Sequence, residues 1–306
     1  ENISPRENSD VKAGITLSGL SSDYFSDKLE IDYFSSSRDF YFEADSATAS
    51  IFNVESNIQK RREDAFIIQN NIKFLAYSDA IEFFSNFKLT KKNIKKENRY
   101  YIYNRNSSSV PGITVEQSGL DVNFGGNADF DFVRIFIQGG YSENEEMHLP
   151  INHKSIPAFF YESKLYEEQK KNFINKQSFL SLKSDFSISA SDILSTSFIQ
   201  RKIQFDTPSD QNFDDRDELM TLVKASYLRK FSSRLDLIIS AEGSISKLVY
   251  IYSQKSANNL TKRSLKYSGE ARFSSGIVKN NLAGEVNSSY SVFDFEKTGT
   301  LNKSYL

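Results

Sequence analysis

The stretch LKYSGEARFSSGIVKNNLAGEVNSSYSV, residues 265–292, sets the plan that the rest of the chain repeats. Leu265, Tyr267, Gly269, Ala271 and Phe273 alternate with Lys266, Ser268, Glu270, Arg272 and Ser274. After a Ser275-Gly276 break, Leu282, Gly284, Val286, Tyr290 and Val292 share one parity, and Glu285, Asn287, Ser289 and Ser291 the other. Successive side chains of a strand point to opposite faces, so this is a hairpin with one apolar and one polar face. A helix would scatter the same residues around its circumference. What each face meets (water, a protein core or lipid) decides the function.

Outward from this hairpin, the same alternation recurs. It runs through Val11–Leu17, Leu29–Tyr33, Phe40–Ala44, Phe66–Phe74 and Ile81–Leu89. It returns in Leu120–Phe124, Phe130–Phe136, Leu180–Ala190, Ile193–Phe205, Leu219–Tyr227 and Leu235–Ile245, with a short last run, Leu301–Leu306. Tight breaks are expected near residues 37, 78, 126, 191, 232 and 276, on Ser, Asp and Gly signals such as Gly125-Gly126-Asn127. Between them fall longer polar stretches. These include the charged cluster Lys60–Asp64, a basic loop at Lys91–Asn98, an excursion at Ser142–Lys176 and an acidic loop at Asp206–Glu218. Tight turns thus gather at one end of the sheet and long loops at the other. All five prolines (Pro5, Pro111, Pro150, Pro157, Pro208) are expected outside the strands. Six tight hairpins plus one strand at each end predict about 14 strands, within a range of 12–16.

Composition agrees. Of 306 residues, 39% are hydrophobic, yet 14% are Phe or Tyr, and there is no Cys or Trp. Apolar mass held in aromatics, beside abundant Ser and Asn, suits many strands with one face in water. A formal charge of −2 offers no case for nucleic acid. No uncharged apolar run approaches the ~18–20 residues that a spanning helix needs.

Alternating strands of this length, with turns on one side and loops on the other, resemble the bacterial outer-membrane β-barrel (porin-like) class over essentially the whole chain. The resemblance implies a closed, antiparallel, up-and-down transmembrane barrel in the bacterial outer membrane, its signal peptide already removed. It implies a periplasmic segment at residues 1–10 and one barrel domain at 11–306, whose short last strand leaves its C-terminal side open to continuation. Tyr100, Tyr101, Tyr141, Tyr250, Tyr252 and Tyr290 would form a loop-side girdle. Two features depart from the class: the girdles lack Trp, and the chain ends Ser304-Tyr305-Leu306 without a terminal aromatic.

A 14-strand open meander would expose two edges in water, whereas closure satisfies the backbone in lipid. The polar parity then faces a wet lumen, lined by Glu82, Lys88, Asp121, Lys183, Asp185, Lys224, Glu242, Lys266, Glu270, Arg272 and Glu285. Opposed charges in a narrow pore orient polar solutes and set ion preference; the alternative is a blocked interior filled by salt-bridged ladders.

Other chemistry is weaker. His148 and His153, near Glu143, Glu145 and Glu146, read as a solvated loop before they read as a metal site. The acids Asp206, Asp210, Asp214, Asp215, Asp217 and Glu218 lack the spacing of a calcium loop. The run Lys88, Lys91, Lys92, Lys95, Lys96 and Arg99 is an ordinary charged loop or a contact for lipopolysaccharide phosphates. No phosphate loop, HExxH or GxSxG is present, so no enzyme, metal or cofactor is expected. The expected function is a passive pore for small polar solutes or ions, with membrane lipid as partner. The alternatives are an anchor barrel in a larger outer-membrane or cell-surface assembly with protein partners, or a soluble secreted β-rich binding protein or adhesin.

Overall fold

The computed structural model describes residues 8–19, 22, 24–39, 57–76, 80–99, 112–151, 158–210, 212–275, 278–296 and 299–305. Among these, thirteen strands form one antiparallel sheet in strict sequence order. They are β1 (Ser9–Ser18), β2 (Phe25–Asp39), β3 (Asn57–Ala76), β4 (Ile81–Arg99), β5 (Ile113–Phe130), β6 (Val133–Pro150) and β7 (Phe173–Ser187). Then come β8 (Asp192–Asp206), β9 (Arg216–Ser232), β10 (Leu235–Tyr250), β11 (Leu260–Ser275), β12 (Val278–Phe293) and β13 (Thr300–Tyr305). One helix, α1 (Ala158–Gln169), joins β6 to β7, and a 3-10 turn at Ser253–Asn258 joins β10 to β11.

The sheet is a meander, and tight connections alternate with long ones as expected. Two points correct the sequence reading: the strands number thirteen, not fourteen, and the sheet is not closed, because β1 and β13 do not pair.

Two expected breaks are strand interior. Ser35-Ser36-Ser37 continues β2, with Ser35 Oγ donating to Asp64 Oδ1 across the strand pair at 2.7 Å. The turn lies earlier, where Gly19 N donates to Asp27 O. Gly125-Gly126 lies inside β5, and the chain turns at residues 131–132. Neither glycine takes a left-handed backbone; they are there for space, since a Cβ on Gly125 would stand 2.6 Å from Phe84 Cζ.

The strands also run further than the alternation suggested. Lys60–Asp64 belongs to β3 and Lys91–Asn98 to β4, and the excursion from Ser142 contains the end of β6, including Pro150. Strands β2 to β12 are 15 to 20 residues long, more than the ~9–11 that cross a bilayer. Beyond the membrane both faces of a strand meet water, so the alternation fades while the hydrogen-bond ladder goes on. The Phe40–Ala44 run lies outside the described residues.

Candidate functional site

The register decides how the two faces are composed. Across the middle of the sheet, Ile137, Leu182, Phe198 and Val223 lie opposite one another on neighbouring strands. The same row continues through Gly126 to Phe83, Phe74 and Phe25, with the Phe74 and Phe83 rings stacked 6.5 Å apart. Further along, Leu237 faces Ala271, which faces Leu282. One mainly apolar face therefore continues across the sheet, interrupted by Asp27 in β2 and Lys303 in β13. Nothing covers it among the described residues: Leu182 is 40% exposed, Val223 52% and Leu282 72%. Ala65, Ile94 and Val115, three of the four buried hydrophobic residues, share the opposite parity. A soluble protein rarely exposes such a continuous apolar surface.

This apolar belt has an upper limit. On the same face, moving toward the long loops, the first ionised residues are Asp64, Lys91, Glu143, Lys176, Lys202, Asp217, Lys247 and Arg263. In β6 the apolar run is Val133–Tyr141, nine residues, which matches the ~9–11 of a spanning strand. The lysine run of β4 is divided by parity. Lys91 and Lys95 stand on the apolar face above the belt, while Lys88, Lys92 and Lys96 stand on the other. Lys91 tops an apolar groove formed by Phe66, Ile68, Leu89 and Leu120. The side chain of Arg99, and Tyr100 and Tyr101 altogether, lie outside the described residues. Of the remaining girdle tyrosines, Tyr141 and Tyr290 are on the apolar face, Tyr250 has the opposite parity, and Tyr252 packs on Phe213 between strands.

All eleven residues expected to line a lumen share the polar face. Signs alternate along it: Lys88 lies opposite Asp121, and Lys224, Glu242 and Lys266 follow one another across three strands. Glu82 pairs with Lys73 at 2.7 Å, Lys266 with Glu285 at 2.7 Å, and Arg272 with Glu270. Lys88, Asp121, Lys183, Asp185, Lys224 and Glu242 form no ion pair among the described residues.

The sequence reading missed the centre of the polar face at the loop end. Glu146 and His148, on the polar parity of β6, lie beside α1, whose Glu168 side chain is fully buried and whose Glu168 Oε2 has no hydrogen-bond partner among the described residues. Glu168 Oε1 receives Lys171 Nζ at 2.7 Å and Lys164 Nζ at 3.2 Å, and its Oε2 faces His148 Nδ1 at 3.4 Å. His148 Nε2 lies 2.7 Å from Glu146 Oε1, and Glu146 Oε2 accepts Gln117 Nε2 at 2.6 Å. His148 N donates to Asn172 Oδ1 at 2.7 Å, and Asn212, from the β8–β9 loop, donates to Lys170 O at 2.8 Å. The helix therefore sits over the polar-face side of β6, tied to two loops. Lys164 and Glu168 are one helical turn apart, the spacing that pairs side chains on one face.

Burial pushes the Glu168 carboxyl up, but the Lys171 and Lys164 ammonium groups outweigh it and hold the group below its ordinary 4.5. Burial opposes the charge on Lys164 too, yet Glu168 and Glu167 raise its pKa above the ordinary 10.5. The Glu168 contribution to the stability of this helical segment is therefore complete above pH 4.5 and is lost as pH falls through the lowered value. The Lys164 contribution is complete below 10.5 and fades only as pH rises through the raised value. Amide exchange in residues 158–169 is expected to stay slow at neutral pH and to accelerate at acid pH, as the Glu168 carboxylate takes up a proton. In a Glu168→Gln variant it is expected to be fast at every pH in this range.

No three His, Asp or Glu side chains converge as metal ligands among the described residues, and His153 lies outside them. The acidic loop is dispersed in the same way. Asp215 accepts Thr207 N at 2.7 Å, Asp214 pairs with Lys255, and Asp217 with Lys202 at 3.6 Å.

No family model matches the sequence, and no curated protein matches it. Solved structures do match. The alcaligin outer-membrane receptor FauA of Bordetella pertussis superposes with a TM-score of 0.51 at 6% identity, over 97% of this chain and 53% of that one. BauA, the ferric preacinetobactin receptor of Acinetobacter baumannii, gives 0.52 at 8% identity, over 97% and 54%. The chain thus spans about half the length of these receptors. At such identities the likeness is one of fold. The chain carries the antiparallel meander of bacterial outer-membrane β-barrels, which fits the outer-membrane location expected from its sequence.

Proposed function

We propose that this chain forms part of the wall of an outer-membrane transport barrel, conducting a polar solute along its charged face. One observation carries the reading. Across the middle of strands β1 to β12 the register gathers apolar side chains on one exposed face and, Asp27 apart, charged ones on the other. Lipid accepts the first face, and an aqueous path accepts the second. No catalytic step is involved.

Gated uptake of the receptor kind is favoured over an open passive pore by α1. It packs beside β6, near Glu146 and His148 of the polar parity, and would stand at the loop end of such a path. The fold likeness to two solute receptors points the same way. The natural polypeptide, extracted in detergent from outer membranes and reconstituted in planar bilayers, is expected to conduct little at pH 7. A several-fold rise is expected in Glu168→Gln, or at acid pH as the Glu168 carboxylate takes up a proton. A large steady conductance at pH 7, unchanged by either treatment, would establish the passive pore instead. Full solubility without detergent would remove the membrane reading altogether.

A further inference from the structure

Toward the loop end of the polar face, strands β4 to β7 enclose a recess of about 350 Å³. The register brings its lining together. Lys88 lies opposite Asp121, Gly119 opposite Asn144, and Glu146 between Gln117 and Phe173. Glycine opens the floor: a Cβ at Gly119 would stand 2.9 Å from Asn144 Oδ1, so a larger residue there would fill the space or displace the amide. The recess adjoins α1, since Glu146 also meets His148, which faces Glu168.

The chemistry of this lining selects one kind of ligand. Charge within it is already offset. Asp121 faces Lys88 across the strand pair, and Glu146 receives Gln117 Nε2 at 2.6 Å on one oxygen and meets His148 Nε2 at 2.7 Å on the other. Glu145, on the opposite parity, accepts Ser118 Oγ at 3.2 Å. Neither an anion nor a cation finds a cluster of opposite charge here. What remains is amide and hydroxyl: Gln117, Asn144 and Thr90 can each donate and accept, as a ligand hydroxyl does. Directly across from Asn144, Asn175 keeps its Oδ1 shielded from solvent with no donor among the described residues, and a buried acceptor of this kind calls for one. One wall is apolar. The Phe173 ring stacks on Phe205 at 5.4 Å, and the Arg216 guanidinium lies 4.4 Å from the Phe205 ring centre.

We propose that this recess binds a short neutral saccharide. Hydroxyls along the edge of a sugar ring pair with the amides and with Asp121, while the C–H groups of a ring face pack on the Phe173 ring. At about 350 Å³ the recess is at the small end of the ~300–1,000 Å³ of small-molecule sites, which keeps the ligand, or the section of it that is held, short. The inference rests on the transport reading above and gives it a substrate class.

The test uses the natural polypeptide, extracted from its membranes in a detergent without a sugar headgroup. Saturation-transfer NMR is run with maltose, cellobiose, lactose and sucrose in turn, and with succinate and choline as charged controls. At least one disaccharide is expected to bind saturably, and neither control to match it. In Phe173→Leu, which keeps an apolar wall but removes the ring, binding is expected to weaken roughly three- to tenfold. In Gly119→Val it is expected to be lost. Circular dichroism checks that both variants fold, and Phe173→Leu decides if Gly119→Val does not. No saturable binding by any of the disaccharides, equal binding in the folded variants, or a preference for succinate or choline would overturn the inference. A chain recovered without detergent fails the transport reading, whatever it binds. A membrane-borne chain that binds no saccharide fails only this inference.

Discussion

Leu182→Arg is expected to lower the stability of the bilayer-inserted protein by about 2–4 kcal/mol, the cost of an arginine facing lipid near the midplane. Leu182 sits in the middle of the belt, opposite Ile137 and Phe198, with Phe186 toward the turns and Lys176 marking the charged rim toward the loops. A guanidinium there would reach water only across several rows of apolar side chains. Asn86→Arg makes the same chemical change on the other face, between Asn71 and Asn123. It is expected to stay within ~0.5 kcal/mol, as for a solvated surface position. Denaturant unfolding in lipid vesicles, followed by far-ultraviolet circular dichroism because the chain lacks Trp, measures both. Equal, small effects at the two positions would mean that both faces meet water.

The contrast between these two positions was legible in the sequence because a period of two needs no partner to be seen. Every lumen candidate, from Glu82 to Glu285, could be assigned to its face from parity alone. Three things could not. Turn chemistry misled where residues chosen for packing imitate residues chosen for turning: Gly125-Gly126 makes room for rings, while the real turn, Asp131-Phe132, carries a single turn-favouring residue beside a phenylalanine. Strand ends were hidden because Lys91, Lys92, Lys95, Lys96 and Glu97 are polar on both faces above the belt, which reads as loop. Closure depends on what meets an edge, and alternation within a strand carries no information about that.

The helix was hidden for a different reason. The β6–β7 connection reads as polar, and α1 has no strong apolar face to announce it. Its one buried carboxylate is held by two cations of the same segment, and the signal for that was the Lys164–Glu168 spacing with Lys171 three residues on. His148 was noticed as a rare histidine. Its role as the β6 partner of Glu168 depends on a helix folding back, which no local pattern shows.

Gly125→Val is expected to cost about 1–3 kcal/mol, the usual range for forcing volume into a packed site. On the polar face of β4 to β6 an apolar island interrupts the charges: the Phe84 and Phe136 rings stack 6.1 Å apart, and Phe84 covers Gly125. A side chain at residue 125 would meet Phe84 Cζ at 2.6 Å and also press on the Ile137 carbonyl oxygen. The first clash lies at the far end of a side chain that can rotate. The second is with backbone, and can be relieved only by shifting the β5–β6 ladder. Combining Gly125→Val with Phe84→Ala therefore separates the two. If the ring is the main obstacle, the double variant should recover most of the loss beyond what Phe84→Ala costs alone, a coupling of about 1 kcal/mol or more. If the carbonyl dominates, the two costs should add. Either result assigns the glycine to packing, and an unchanged stability in Gly125→Val would remove that assignment.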